Sequence, residues 1–598
     1  MLIKALRYAH DYTSRIDFTD LAGATGALRA TNAFNEPASE ERLRLPPGPA
    51  ERKAGAGGRP LLTLPHDPPE VAPDLLADLV TDAWRLRAPV SVHRAHPTSV
   101  GLGQAGRVAR APVPATPTAG VAFPMDASGA RSTSALGRSV VADALRSVDP
   151  VGSQAAQGET NWRTGYAVHF RRLVEAGLGS ADGARMIAAD GLASLHERLR
   201  WGAHGGGEGP LTSVRSAPAG RELATSVVRG TAPAEESLSL PFRGGRLRGD
   251  DLQRQVDAWV ATGVVEPSVA DAVRTLLAHP EWLRLADHTV VVLGAGSEMG
   301  PLTSLLRWGA TVAGVDLPSA QLWERVLSVA RAGAGTLLLP GPDPGAAGAG
   351  IDLIEEVPSA ADWVAALDGP LVLGNYVYAD GATNLRVSAA VDALALRVLD
   401  ARADTALAFL ATPTDVFAVP GTVVDASAAA YAGRSRVGRL VGRPLRAASA
   451  GRLLQRNYRP GSDPGLNDSL VTQQGPNYAL AKRLQRWRAT SARAAGTLVS
   501  MNVAPPTRTR SVVKNRALAA AYAGAHRFGV EVFEPATSNT LMAALLVHDL
   551  HTGGGPVHAH PWQDEANVAA HGGLWRAAYS PRSALGLAAV LGYGSSRG

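Results

Sequence analysis

HTVVVLGAGSEMGPLTSLLRWGATVAGVD, running from His288 to Asp316, reads as a strand, a glycine-rich turn, a helix and a second strand. The run from Thr289 to Leu293 is β-branched or apolar throughout and stops at glycines. Glycines at 294, 296 and 300 then lie where backbone N–H groups at a helix N-terminus can approach a pyrophosphate. Asp316 closes the second strand, about 20 residues beyond Gly296, where a carboxylate can accept from both hydroxyls of an adenosine ribose. In this order the parts point to a dinucleotide or adenosyl ligand. A tight βα turn without a ligand is the plain structural alternative.

Downstream the rhythm repeats, with strands expected at 335–339, 370–373 and 405–410 and helices at 360–366 and 387–401. The rhythm breaks at 422–474, an arginine-bearing stretch followed by Gly, Pro, Asn and Asp, which reads as an insertion near the site. It resumes with a helix at 478–495 and the strand LVSMNV. Upstream, two amphipathic helices fill 250–283. Residues 1–245 are less regular: amphipathic pieces at 73–87 and 185–200 alternate with Pro-, Gly- and Ser-rich stretches such as 46–60, 111–133 and 202–220. The fold class is therefore α/β, a doubly wound parallel Rossmann sheet with an irregular, mainly helical N-terminal region. The expected domains are an N-terminal region, 1–245, of unassigned role, and a catalytic domain, 246–598, carrying the insertion.

Composition excludes several classes of function. Hydrophobic residues make up 45% of the 598 residues and charged ones 19%, so the chain as a whole is not disordered. The net charge of +6 is a small difference between 59 basic and 53 acidic residues, without blocks of one sign, and gives little reason to expect nucleic acid. There is no cysteine, which excludes disulfides, thiolate nucleophiles and cysteine-ligated zinc. No stretch has the length and apolarity of a membrane span or secretion signal, so the expected setting is soluble and cytoplasmic.

Lysine stands only at positions 4, 53, 482 and 514, which makes Tyr478-Ala-Leu-Ala-Lys482 conspicuous. With 11 tyrosines in the chain, such a pair is expected by chance roughly 0.07 times. The i, i+4 spacing sets phenol and ammonium on one helix face. An ammonium so placed should lower the phenol's pKa, and the phenol can exchange a proton with a substrate oxygen. A tyrosine packed at a helix base beside a solvated lysine is the alternative.

Together these features resemble the short-chain dehydrogenase/reductase family over about 285–561. The resemblance implies that Gly294, Gly296, Ser297, Met299 and Gly300 meet the pyrophosphate of a nicotinamide dinucleotide and that Asp316 meets its ribose. It implies that Asp352 lies by the adenine, that Asn375 follows the fourth strand, and that Thr509 stands in the loop beside the nicotinamide. Tyr478 would be the acid/base, Lys482 would hold the nicotinamide ribose, and Thr412 would bond the substrate oxygen, with Thr414 and Ser469 as competitors. The cofactor expected is NAD, with NADP as the variant, because the carboxylate of Asp316 repels a 2′-phosphate. The sequence departs from the family at Glu298, which replaces a turn glycine; at Tyr376 and Val377, which replace a small pair; and at Pro506, where glycine is usual. Tyr478 also lies far beyond Thr412 for this family. GGGPVHAHP reads as a last strand.

His548, His551, His558 and His560 cluster in sequence near Asp564 and Glu565, but polar residues at a site rim give the same composition, and no metal is expected. The leading function is therefore an NAD(P)-dependent oxidoreductase moving hydride between nicotinamide and a small carbonyl or alcohol substrate. No nucleic-acid or membrane partner is expected, and homo-oligomer formation is compatible with this reading. Two other classes fit parts of the pattern: an S-adenosylmethionine-dependent methyltransferase, in which the YxxxK pair has no role, and a non-catalytic Rossmann scaffold.

Overall fold

The computed structural model describes residues 119–593 apart from 127, 204–205, 343–347 and 556, with two short strands at Lys53–Ala54 and Pro60–Leu61; at 436–439 and 441 it describes backbone only. The amphipathic piece expected at 73–87 and most of 46–60 lie outside the described residues. The chain divides into two compact units, Met1–Arg110 with Pro444–Leu453 and Ala111–Arg443 with Leu454–Gly598. The second carries the sheet and the site.

Seven strands form the sheet: β1 Thr225–Arg229, β2 Thr289–Leu293, β3 Thr311–Val315, β4 Thr336–Pro340, β5 Leu371–Asn375, β6 Ala406–Ala411 and β7 Val499–Val503. Their order is β7-β6-β5-β2-β3-β4-β1. All pairs are parallel except β1 on β4, and Val291 faces Ala313 on one side and Leu373 on the other. The order reverses between β2 and β5, so the protein is an α/β protein with a doubly wound, mostly parallel Rossmann sheet. Beyond β7, the described residues of 553–561 form no strand, where one was expected. Three glycines with positive φ, Gly553, Gly554 and Gly555, turn the chain there, and β7 receives instead a single parallel bridge from Ala569. A run of glycines supplies no side chains to pack on a sheet, which explains the difference.

Why β2 is apolar at every position is visible in its two faces. Val290 and Val292 enter one core cluster, Val291 and Leu293 the other. The first cluster takes residues from α5 Gly249–Ala261, α6 Pro267–Ala278, α7 Leu302–Trp308, α8 Ala320–Ala332 and α12 Pro535–His551. The second takes residues from α9 Val357–Ala365, α10 Gly381–Ala401 and α11 Pro476–Ala494. It also takes residues from four earlier helices, α1 Thr133–Arg146, α2 Pro150–Gln157, α3 Trp162–Gly177 and α4 Ala181–Arg198. The last of these contains most of the amphipathic piece expected at 185–200. Helix α4 lies so close to α11 that a Cβ on Gly191 would come within 2.5 Å of the Trp487 ring.

A buried ion group joins these layers: His196 of α4 lies 2.6 Å from Asp392 of α10, whose carboxylate also accepts two bonds of 2.7 Å from Arg488 of α11. A second joins α6 to the segment beside β7. Glu266 accepts from His571 at 2.9 Å and from Arg576 at 2.9 and 2.7 Å. Burial alone would raise the Glu266 carboxyl, but these donors hold it down at about 2. A carboxyl depressed in this way stabilises the fold above its unfolded pKa and loses that contribution as the pH falls from about 4.5 to about 2. The loss should reach about 3 kcal/mol. Urea unfolding of the native chain and Glu266→Gln across that range measures it; equal pH slopes would sink the assignment.

Candidate functional site

The expected site residues gather at the C-terminal ends of β2, β3, β5, β6 and β7, the edge at which doubly wound sheets bind ligands. Gly294 has φ +92°, and a Cβ there would lie 2.9 Å from the Tyr376 carbonyl, so only glycine passes this turn. Within the turn, Ser297 N–H donates to Gly294 O and Gly300 N–H to Ser297 O, while Gly296 N–H donates to the Asp316 carboxylate at 2.8 Å. The other Asp316 oxygen accepts from Leu317 N–H at 2.8 Å, and burial pushes the carboxyl up. Each oxygen keeps a further lone pair for a ribose hydroxyl. The N–H groups of Glu298 and Met299 take no part in these turn bonds. Glycine conformation, available donors and ribose acceptor thus fit a dinucleotide.

Glu298 does not point its charge into the turn. Its carboxylate accepts from Arg510 N–H at 2.8 Å and pairs with the Arg510 guanidinium at 2.9 Å. Tyr376 has its ring in the core, packed over Gly374. Asp352 is used locally, accepting from Ile354 N–H, while Ile351 N–H donates to Asp316 O. Thr509 shares a hydrogen bond of 3.0 Å with Ser511.

The second group surrounds α11. Pro476 opens this helix after Gly475, whose φ is +83°. One turn on, Tyr478 and Lys482 line a small cavity with Thr412, Thr414, Gln474 and Tyr166, with free space for about one water. Thr412 and Thr414 hydroxyls lie 2.9 Å apart, and Thr414 donates to the Gln474 side-chain carbonyl at 2.9 Å. Lys482 donates to the Leu410 carbonyl at 3.3 Å and to Gln485 at 3.0 Å, and Gln485 donates to Asn375 at 3.1 Å. Burial pushes the Lys482 ammonium down to about 8. The Tyr478 phenol is raised to about 12, chiefly by burial, with the Thr412 hydroxyl acting in the opposite direction. The expected lowering is thus reversed: Lys482 is turned toward Gln485 and the Leu410 carbonyl, and desolvation prevails.

Tyr478, Lys482, Thr412 and Thr414 therefore come together, with Asn375 joined through Gln485. Ser469 does not join them; it donates to Asn467 in the strand Gly465–Asp468 of the insertion, which pairs with Val416–Val419. Tyr378, whose hydroxyl donates to Asp380 at 3.2 Å, stands edge-on to Tyr478 at 6.4 Å. Sequence reasoning missed Gln485, Gln474, Tyr378 and Arg510. Only Gln485 carried a signal, its i, i+3 spacing from Lys482. The four histidines have separate partners: His548 is near Asp549, His551 stacks on Trp282, His558 binds Asp564 and His560 caps the helix Pro561–Asn567. Among the described residues no group of three or more His, Asp or Glu is arranged to hold a metal, and no helix is long and apolar enough to cross a membrane.

No protein-family model matches the sequence, and no curated protein matches it. Among solved structures the chain is similar to one assigned as a NAD(P)-dependent gluconate 5-dehydrogenase from Beutenbergia cavernae, with NADP bound at low occupancy: 16% identity, TM-score 0.26, covering 49% of this chain and 98% of that one. It is also similar to an A-type ketoreductase from a modular polyketide synthase, at 16% identity and TM-score 0.26, and to an A1-type ketoreductase, at 16% and 0.25. Each covers 44% of this chain, which spans about half the length of those chains, 47%. At these scores the likeness carries no argument about chemistry.

Proposed function

We propose that the chain is an oxidoreductase that moves hydride between a nicotinamide dinucleotide and a small carbonyl or alcohol substrate. The observation carrying this reading is the convergence of Tyr478, Lys482 and Thr412 on one cavity at the end of β6, on the same sheet edge as the glycine turn and Asp316. The dinucleotide, when bound, supplies or accepts the hydride. Gly294, Gly296, Ser297, Met299 and Gly300 would hold its pyrophosphate, Asp316 its adenosine ribose, Asp352 the adenine side, and Lys482, Asn375 and Thr509 the nicotinamide side. Tyr478 gives its proton to the substrate oxygen in reduction and takes it back in oxidation, and Thr412 orients that oxygen. Asp316 favours NAD over NADP.

Fluorescence titration with NADH, NADPH and S-adenosylmethionine tests the reading. NADH should bind more tightly than NADPH, and S-adenosylmethionine should not bind; preferential binding of the last would favour a methyltransferase, and no binding of any of them a scaffold. Glu298 provides a second readout. Glu298→Gln removes a negative charge beside the turn and should tighten NADH by about 1 kcal/mol, roughly fivefold. Weaker binding would show instead that the pair with Arg510 holds the cleft in its binding shape.

A further inference from the structure

The cavity that Tyr478 and Lys482 share is completed by a residue from outside the sheet and its covering helices: Tyr166 of α3 lines it together with Leu470 and Val471 of the insertion. Tyr166 is fully buried. Its ring stands edge-on to Phe170 at 5.7 Å, and its hydroxyl donates to the Thr472 carbonyl at 3.4 Å, so the side chain is held at both ends. It cannot swing aside without losing both contacts, and close-packed interiors yield little. The free space left is that of about one water. Tyr478 itself is only half-buried, and Tyr378, which stands edge-on to it outside the cavity lining, is 52% exposed. The phenol therefore has a closed side toward Tyr166 and an open side toward Tyr378.

A carbonyl oxygen that takes the Tyr478 proton is about as large as a water and fills the space the cavity offers. The reacting carbon carries two more substituents, which its trigonal geometry splays to either side of the C=O bond. One has room toward Tyr378, and the other meets the wall of Tyr166, Leu470 and Val471. We propose that Tyr166 is a specificity-determining residue: it leaves room on the closed side for a hydrogen and for no alkyl group, so the substrates are aldehydes, or primary alcohols in the reverse direction. This rests on the reading of Tyr478 as the acid/base. The aldehyde carbon gains a hydride, its oxygen takes the Tyr478 proton, and a primary alcohol leaves with the dinucleotide oxidised. One methylene too many in a tight pocket lowers kcat/KM by about 10- to 200-fold, which is the size of effect a ketone should suffer.

The experiment measures kcat/KM with NADH in the full-length protein for matched pairs, benzaldehyde with acetophenone and propanal with butanone. The ketone-to-aldehyde ratio should rise at least about tenfold in Tyr166→Ala, and intrinsic reactivity cancels in the comparison with the native chain. Tyr166→Phe keeps the ring and should keep the native ratio. Tyr166→Leu, smaller but still apolar, should give an intermediate ratio and serves if the alanine variant does not fold. Benzene gives a readout apart from turnover, since an apolar cavity of about 150 Å³ admits it. It should raise the melting temperature of Tyr166→Ala and not of the native chain, and should compete with the ketone. A native preference for the ketones overturns the proposal, as do equal ratios in the native, leucine and alanine chains, or bound benzene that does not compete. If Tyr478→Phe keeps full activity on the aldehydes, the oxidoreductase reading fails. If that variant is inactive and the ratios do not move, only the role of Tyr166 fails. No turnover with either member of either pair overturns both.

Discussion

Turnover should fall about 10²- to 10⁴-fold in Tyr478→Phe, with the fold and dinucleotide affinity intact, because only the hydroxyl that exchanges the proton is removed. Carbonyl-dependent oxidation of NADH, on whichever carbonyl compound of a small panel the native chain reduces, gives the comparison. Lys482→Met should do more harm, lowering both turnover and NADH affinity, since in the proposed function Lys482 also holds the nicotinamide ribose. Burial holds the native ammonium down at about 8, so activity that needs its charge should decline as the pH rises through that value, and Lys482→Met should lack this decline. Arginine is a poor substitute, because its planar fork cannot sit as a compact charge between Leu410 O and Gln485. Full activity in Tyr478→Phe would refute the mechanism.

The largest loss of stability is expected from Arg488→Met. Asp392 is 3% exposed, and without the guanidinium its charge keeps only His196 as partner. Breaking a buried pair from one side destabilises by about 3–5 kcal/mol. The sign with pH is also defined. In the native chain the Asp392 carboxyl lies well below the usual range, opposed by burial but held down chiefly by Arg488. With the arginine gone burial should raise it, so part of the loss is relieved as the pH falls and the carboxyl takes a proton. Adding Asp392→Asn to Arg488→Met should recover stability at neutral pH, because no uncompensated charge remains. Urea denaturation of the single and double variants decides this; a single-variant loss below about 1 kcal/mol would mean that the pair is worth no more than one on the surface.

The sheet was legible because parallel strands buried on both faces are apolar at every position and few other segments are. The expected strand at 370–373 falls at 371–375 and that at 405–410 falls at 406–411, shifts of a residue or two at the ends. Strand β1 escaped because TSVVR alternates exposed and buried residues over only five positions, within Gly- and Pro-rich sequence, and pairs only along one edge. That Tyr478 and Lys482 face one cavity was legible from their i, i+4 spacing, and the scarcity of lysine drew attention to the pair. Gln474, Arg510 and Tyr378 were not, since their roles arise from loops brought together by the sheet, and nothing in their spacing marks them. The direction of the Tyr478 shift was unreadable for a related reason: desolvation depends on what covers a side chain, and that cover comes from residues distant in sequence.

Helix α11 has two sides with different neighbours. One presents Tyr478 and Lys482 to the sheet edge, and the other seats Trp487 against Gly191 and ties Arg488 to Asp392, which His196 also holds. The helices at 133–198 therefore back the helix that carries Tyr478 and Lys482 and cannot be treated as cargo. In evolutionary terms, this region could not be exchanged for another by recombination without disturbing the helix that carries Tyr478 and Lys482. Drift at Gly191 or His196, distant in sequence from the proposed catalytic groups, should be selected against as strongly as drift beside them.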